Sequence, residues 1–297
     1  MNTTSSLRRL LFSALLCAGF LQPVLAQERK PLTIDAMSDP AVTRAFYLPS
    51  IWWLQDNTAL VVDTLKPRAE RGFERLDPRT GKRTLLFRFS VGDSLLRGLF
   101  PGSDAPRLGP NPVTISDNGR FCCYIIRNDI VLLDLRRGSL LRITETKEQE
   151  KSPAFSPDEK KIAFIRSNNI FVYDIEERKE TQLTNDGNDS TLNGTLSWVY
   201  WEEVFGRRDI GYWWAPDSRA LAFLRTDESG VSIQHYVDIT PWTPTVTKQR
   251  YPKVGEKNPA VRVGIIELPT SKTTWANIDP QSYEYVVRVD WLPAGDR

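Results

Sequence analysis

Glu202 and Glu203 stand side by side in Trp198-Val199-Tyr200-Trp201-Glu202-Glu203-Val204-Phe205, within an aromatic-rich stretch that runs on through Arg207, Arg208 and Asp209 to Trp214. Two carboxylates held in a poorly solvated niche repel each other, and a cation between them relieves that repulsion. A primary ammonium suits the position because its N–H groups make charge-assisted hydrogen bonds to both acids. Residue types alone leave a second reading open. The pair also fits a solvated turn, with Arg207 or Arg208 forming surface ion pairs of small energetic weight.

Other chemistry is sparse. Serine-triad hydrolysis needs an exposed serine, a histidine and an acid, yet no Gly-x-Ser-x-Gly occurs and His235 is the one histidine. His235 lies in a strand-like run and reads as a surface or edge-strand residue. There is no phosphate-cradling glycine loop, dinucleotide fingerprint or His-Glu-x-x-His zinc pattern. The sequence therefore predicts no catalytic residue, no metal and no cofactor. Cys122 and Cys123 are adjacent, and neighbours in a strand point to opposite faces, so a disulfide between them would be strained. They read as two small hydrophobes.

The frame around these residues is a repeat. Phe155-Ser156-Pro157-Asp158-Glu159-Lys160-Lys161-Ile162-Ala163-Phe164 and Trp214-Ala215-Pro216-Asp217-Ser218-Arg219-Ala220-Leu221-Ala222-Phe223 are its clearest copies. Ile115-Ser116-Asp117-Asn118-Gly119-Arg120-Phe121 is weaker, Trp53-Leu54-Gln55-Asp56-Asn57-Thr58-Ala59-Leu60 is degenerate, and Trp291-Leu292-Pro293 opens another. Each describes a strand, a tight turn and a returning strand. A second phrase, as in Ile130 to Gly138 and Ile170 to Lys179, adds a further strand, polar turn and strand. Four short antiparallel strands per unit predict an all-β fold, an incomplete β-propeller of about four blades plus the start of another. Asp117 to Asp158 spans 41 residues and Asp158 to Asp217 spans 59. The longer unit carries an insertion, expected between blades, and the Glu202–Glu203 stretch lies within it.

Length and composition fit a globular chain of 297 residues, 40% hydrophobic and 26% charged. Residues 1–26 have a basic start at Arg8 and Arg9, an apolar run from Leu10 to Leu25 and small residues before Gln27. This pattern predicts a secretory signal peptide and an exported protein, periplasmic or secreted. Cleavage there leaves 37 basic against 37 acidic residues, since two of the 39 basic ones are Arg8 and Arg9. That balance gives no electrostatic reason to expect nucleic acid or an anionic membrane as partner, and no later stretch is long and apolar enough for a membrane-spanning helix.

The chain from about residue 40 onward resembles the N-terminal propeller of the dipeptidyl peptidase IV family in the prolyl oligopeptidase clan. The resemblance is carried by Trp198-Val199-Tyr200, Glu202-Glu203-Val204-Phe205 and Trp213-Trp214-Ala215-Pro216-Asp217. A second signature is Arg250-Tyr251-Pro252-Lys253-Val254-Gly255-Glu256-Lys257-Asn258-Pro259 with Val261-Arg262-Val263. The resemblance implies that residues 27–297 are a partial propeller that caps an absent C-terminal α/β-hydrolase domain. It implies a parent that is an exported serine dipeptidyl peptidase, removing N-terminal dipeptides with Pro or Ala second, and a fragment without its Ser-Asp-His triad. Glu202 and Glu203 correspond to the pair that holds the free α-ammonium of a peptide, on a short helical excursion from a blade. Arg127 corresponds, by a loose spacing, to an arginine that orients the substrate carbonyl. Trp201 stands where the family often has a third acid. Residues 237–257 correspond to an arm used in homodimerisation. Two other readings remain at this stage. One is a non-catalytic TolB-like propeller that binds proteins, and the other is a tripeptidyl peptidase relative.

Overall fold

The computed structural model describes residues 33–45, 47–268 and 270–293. The signal peptide expected over residues 1–26 lies outside them. The chain divides into two units, residues 1–48 and 49–297. The described part of the first holds two short helices, α1 (Ile34–Ser38) and α2 (Pro40–Ala45). The Thr33 hydroxyl caps α1 by accepting the Ala36 N–H.

The second unit is built from four antiparallel sheets, each following the last along the chain. Sheet A is β1 (Ser50–Trp53), β2 (Ala59–Val62), β3 (Gly72–Leu76) and β4 (Arg83–Arg88). Helix α3 (Phe89–Leu99) leads to sheet B, β5 (Thr114–Ile115), β6 (Phe121–Ile126), β7 (Asp129–Asp134) and β8 (Ser139–Arg142). Sheet C is β9 (Glu150–Phe155), β10 (Lys161–Arg166), β11 (Asn169–Asp174) and β12 (Lys179–Gln182). Sheet D contains β13 (Thr191–Asn193), β14 (Tyr212–Trp214), β15 (Ala220–Asp227), β18 (Ala260–Glu267) and β19 (Lys272–Trp275). A separate hairpin, β16 (Ile233–Asp238) and β17 (Thr245–Arg250), projects between β15 and β18. The fold is the expected incomplete propeller of four-stranded blades. Beyond β19 the described residues form one short 3-10 turn, Pro280–Ser282, and no fifth sheet.

Sheets bury both faces, which is why their middle strands read as unbroken apolar runs. Phe73, Phe87 and Phe89 share a core with Cys122, Tyr124, Val131 and Leu133, joining sheets A and B. Cys123 and Ile130 pack instead with Phe164, Phe171 and Tyr173 of sheet C. Ala163, Ile165 and Val172 then meet Tyr212, Leu221, Phe223 and Ile266 of sheet D. Strand alternation sends Cys122 to one core and Cys123 to the next. Both are free thiols, and burial pushes both well above the ordinary thiol range.

The repeated phrase forms the same turn in all four sheets. Asn57, Gly119, Glu159 and Ser218 each take a positive φ (61°, 72°, 58° and 61°). Each donates its N–H three residues back, to the carbonyls of Leu54, Ser116, Ser156 and Ala215. The side chains of Asp56, Asn118, Asp158 and Asp217 accept the N–H two residues on, the local bond that makes Asp and Asn turn residues. The turns also join neighbouring sheets. Gln55 N–H donates to the Asp117 carbonyl at 3.0 Å, Asn118 N–H to Glu159 Oε1 at 2.8 Å, and Asp158 N–H to Ser218 Oγ at 3.0 Å. The phrase thus serves each blade and the seam to the next.

At the opposite end of sheets B and C the middle strands are joined by two residues in left-handed conformation, Arg127-Asn128 and Ser167-Asn168. That is the two-residue hairpin turn whose twist matches the strands. Sheet D departs from this pattern twice, and both departures concern the site.

Candidate functional site

The first strand of sheet D is broken in two. β13 pairs with residues 225–227 of β15 and β14 with residues 221–223. Between them residues 194–211 leave the sheet, opposite Leu224. These 18 residues equal the excess of the 59-residue repeat spacing over the 41-residue one. The insertion expected between blades therefore lies inside the first strand of a blade. The sequence spacing measures an insertion's length without locating it within the repeat.

Two glycines close its neck. Gly194 N–H donates to Leu224 O, Leu224 N–H to Gly211 O and Gly211 N–H to Gly194 O, at 2.8–2.9 Å. Gly194 has φ 73°, and a Cβ on Gly211 would stand 2.7 Å from Leu196 Cδ2. Gly194 needs to be glycine for its left-handed backbone, and at Gly211 the missing side chain leaves room for Leu196 beside the neck. Asp209 ties the same neck, accepting from Thr195 Oγ1 at 2.7 Å and Leu196 N–H at 2.9 Å.

Inside the loop, Tyr200–Val204 forms a π-helical turn, with the Phe205 N–H bonded to Tyr200 O at 2.8 Å. Such wide turns recur at functional sites. Tyr200 is fully buried and anchors it. Its hydroxyl accepts the Val286 N–H at 2.9 Å, and its ring lies 6.0 Å from Tyr285 and 6.2 Å from Phe205. Trp201 is half-buried against the same cluster, so the position of a third acid is taken up by packing.

The two acids differ. Glu202 receives Arg207 in a fork, Nε at 3.0 Å from both carboxylate oxygens and Nη2 at 2.6 Å from Oε1. Gly206 and Arg207 both take positive φ, which turns the chain back to make this pairing. Glu203 is exposed, and it enters no hydrogen bond or ion pair among the described residues. The structure thus realises the surface ion pair for one carboxylate and leaves the other open. The aromatics form a rigid base beneath the turn instead of a wall around Glu203.

Arg127 lies elsewhere, in the β6–β7 turn of sheet B. Its Nη2 pairs with Asp104 Oδ2 at 2.8 Å and donates to the Asp104 carbonyl at 2.9 Å, while the guanidinium lies 5.8 Å from the Phe100 ring. His235 is exposed on β16 opposite Lys248. Among the described residues no cluster of His, Cys, Asp or Glu forms a metal site, and no helix is long and apolar enough to cross a membrane.

A cavity of about 650 Å³ opens beside the turn, lined by Ser197, Trp198 and Trp201 on one side and by Ile233, Lys248 and Arg250 of the hairpin on another. Glu228 borders it. Burial raises the Glu228 carboxyl to about 7, against the opposing pull of Arg250. Sequence reading missed Glu228, because nothing in Asp227-Glu228-Ser229 marks which acid folds inward.

Residues 114–297, more than half of the chain, match the family described as the dipeptidyl peptidase IV (DPP IV) N-terminal region. The chain belongs to this family. Its curated relatives include dipeptidyl peptidase 4 of Arthroderma otae, 34% identical over 173 residues, which cover 55% of this chain and 22% of that protein. Dipeptidyl peptidase 4 of Trichophyton rubrum is 32% identical over the same length, again 55% and 22%. The crystal structure of Porphyromonas gingivalis dipeptidyl peptidase 4 is similar with a TM-score of 0.65 and 26% identity, covering 84% of this chain and 36% of that one. The matched region thus spans about a fifth of the length of the curated relatives. Both the Glu202–Glu203 turn and the Tyr251–Pro259 segment of this dipeptidyl peptidase IV-type chain fall within the matched residues.

Proposed function

We propose that this chain is the substrate-recognising N-terminal part of an exported serine dipeptidyl peptidase, with Glu202 and Glu203 holding the α-ammonium of a peptide. The observation that carries the reading is the asymmetry of the pair. Arg207 fixes Glu202, and Glu203 stands beside it exposed and unpaired. An ammonium placed there gains a free carboxylate and shares a second whose position is already set. The charge-assisted bonds form at little cost in side-chain ordering.

In this reading the turn performs no chemistry. It fixes the peptide's first residue at a set distance from a nucleophile on a C-terminal α/β-hydrolase domain, so the bond after the second residue is the one attacked. Proline or alanine is the preferred second residue. Arg127 orients the substrate carbonyl from the β6–β7 turn. Export follows from residues 1–26 read as a signal peptide. The β16–β17 hairpin is the arm of a homodimer. It exposes Tyr236, Val237, Ile239, Trp242 and Val246, an apolar surface that a second copy would cover.

The test is product analysis. The intact protein is incubated with peptides bearing Pro or Ala second, with and without N-terminal acetylation, and the fragments are weighed by mass spectrometry. Dipeptides released from free termini alone support the reading. Tripeptides, or equal cleavage of acetylated peptides, contradict it.

A further inference from the structure

The second family signature, Tyr251–Pro259, lies more than 45 residues beyond the glutamates, yet both of its ends reach the start of their turn. At one end the Tyr251 ring meets the Trp198 indole edge-on, with centroids 4.5 Å apart. Trp198 begins the short helical stretch that carries Glu202 and Glu203. At the other end Asn258 Nδ2 donates to the Tyr285 hydroxyl at 2.8 Å and to Glu284 Oε1 at 2.5 Å. Tyr285 packs on Tyr200, the anchor of the π turn, and the neighbouring Val286 N–H bonds the Tyr200 hydroxyl.

The segment is itself fixed to the foot of the arm. Tyr251 N–H donates to Ser232 O at 2.9 Å, and its carbonyl accepts Gln234 Nε2 at 3.2 Å. Arg250 Nη1 donates to the carbonyls of Glu228 and Val231, both at 3.1 Å. The turn needs such support. The turn is short, closed by Phe205 N–H to Tyr200 O and Arg207 N–H to Trp201 O, and the Arg207 fork is local to the loop. Sideways the loop is held by the neck, by packing of Tyr200, Trp201 and Phe205 against Trp213, Leu224 and Val261, by the tail around Tyr285 and by Tyr251.

We propose that Tyr251 is a positioning residue for the Glu202–Glu203 turn. Acting through Trp198, it lets the foot of the β16–β17 arm set where the two carboxylates stand. Neither Tyr251 nor Trp198 touches the ammonium. A displacement of the arm passes through their ring contact to the site. The ligand half of this proposal rests on the amine-holding reading above, and the structural half does not.

Hydrogen–deuterium exchange on the intact protein separates the two. Tyr251→Ala should speed exchange of the amides of residues 198–207 by about three- to tenfold, the size of one aromatic pair. Amides of β10 and β11 should keep their rates, which shows that the fold is intact. Tyr251→Phe keeps the ring and should restore the wild-type rates. A Gly-Pro dipeptide amide with a free amine should bind the Tyr251→Ala protein several-fold more weakly, and its acetylated form should show no change. Faster exchange in a protein whose wild type does not prefer the free amine upholds the positioning role while ending the amine reading. Unchanged exchange at residues 198–207 in Tyr251→Ala overturns the proposal, and so does failure of Tyr251→Phe to rescue.

Discussion

Sheets C and D share one plan and use it differently. Sheet C joins its strands by short turns, with Ser167-Asn168 alone linking β10 to β11. Sheet D keeps the Pro-Asp turn and the face that packs on sheet C. It opens the plan at two points, residues 194–211 within its first strand and residues 228–259 between its central strands. One excursion holds the glutamate pair and the other holds the arm, and Trp198 meets Tyr251 where they touch. A repeated frame tolerates insertions because each sheet is stabilised by the faces of its neighbours, which loops outside the ladder leave unchanged. In the proposed reading the glutamate turn and the arm both stand on the irregular blade, while the regular blade keeps the plain four-stranded frame.

The largest expected effect breaks the regular blade. Phe164 is fully buried in sheet C, 5.6 Å from Phe171. Phe164→Ala should cost about 3–5 kcal/mol in denaturant unfolding. If the comparison holds, conditions in which that variant stays folded should leave peptide affinity at the glutamate turn unchanged.

The next effect lies at the foot of the arm and depends on pH. The Glu228 carboxyl is raised by burial to about 7 from an ordinary value of 4.5, with Arg250 opposing and Lys151, Lys248 and Asp189 lining the same cavity. The native state therefore favours the neutral acid. Its stabilising contribution is complete below about pH 4.5, declines as the unfolded chain loses its proton first, and is gone above about pH 7. Between pH 5 and 8 the wild type should lose stability relative to the Glu228→Gln protein. Parallel pH profiles for the two proteins would show that Glu228 is solvated.

Smaller effects sharpen the seam and the site. Ser218→Ala removes the hydroxyl that accepts the Asp158 N–H across sheets C and D, and should cost about 1 kcal/mol. Arg207→Ala removes an ion pair whose arginine is 72% exposed, so global stability should be essentially unchanged. Peptide affinity should nevertheless fall, because Glu202 loses the fork that orders it. A stability loss as large as that of Ser218→Ala would give Arg207 a structural role.

The frame was legible in the sequence because its signals are local. A turn that needs a positive φ and an Asx bond needs particular residues within five positions, so four copies stand out even when one is degenerate. The glutamate pair was legible as chemistry but not as geometry. Residue types do not show that Arg207 folds back on Glu202, or that Glu203 faces solvent above an aromatic base. The broken first strand was hidden because β13 and β14 contribute only three residues each, too few for a period. The contact between Trp198 and Tyr251 joins residues far apart in the chain and was beyond any local pattern. Helix α3 carries Phe89, Gly92 and Leu96 on its buried face, a helical spacing, but it follows β4 directly, with Arg88 at the junction making no side-chain cap.

The central claim is that Glu203 completes an ammonium site beside Glu202. Its most direct test is the affinity of the intact protein for a Gly-Pro dipeptide amide, free and N-acetylated, measured by calorimetry before and after Glu203→Gln. The account predicts that the free amine binds the wild type about ten- to a hundredfold more tightly than the acetylated form, the size of a charge-assisted bond. It predicts that most of this preference disappears in Glu203→Gln while the acetylated form binds both proteins alike. A preference for the free amine that survives Glu203→Gln undiminished would contradict it.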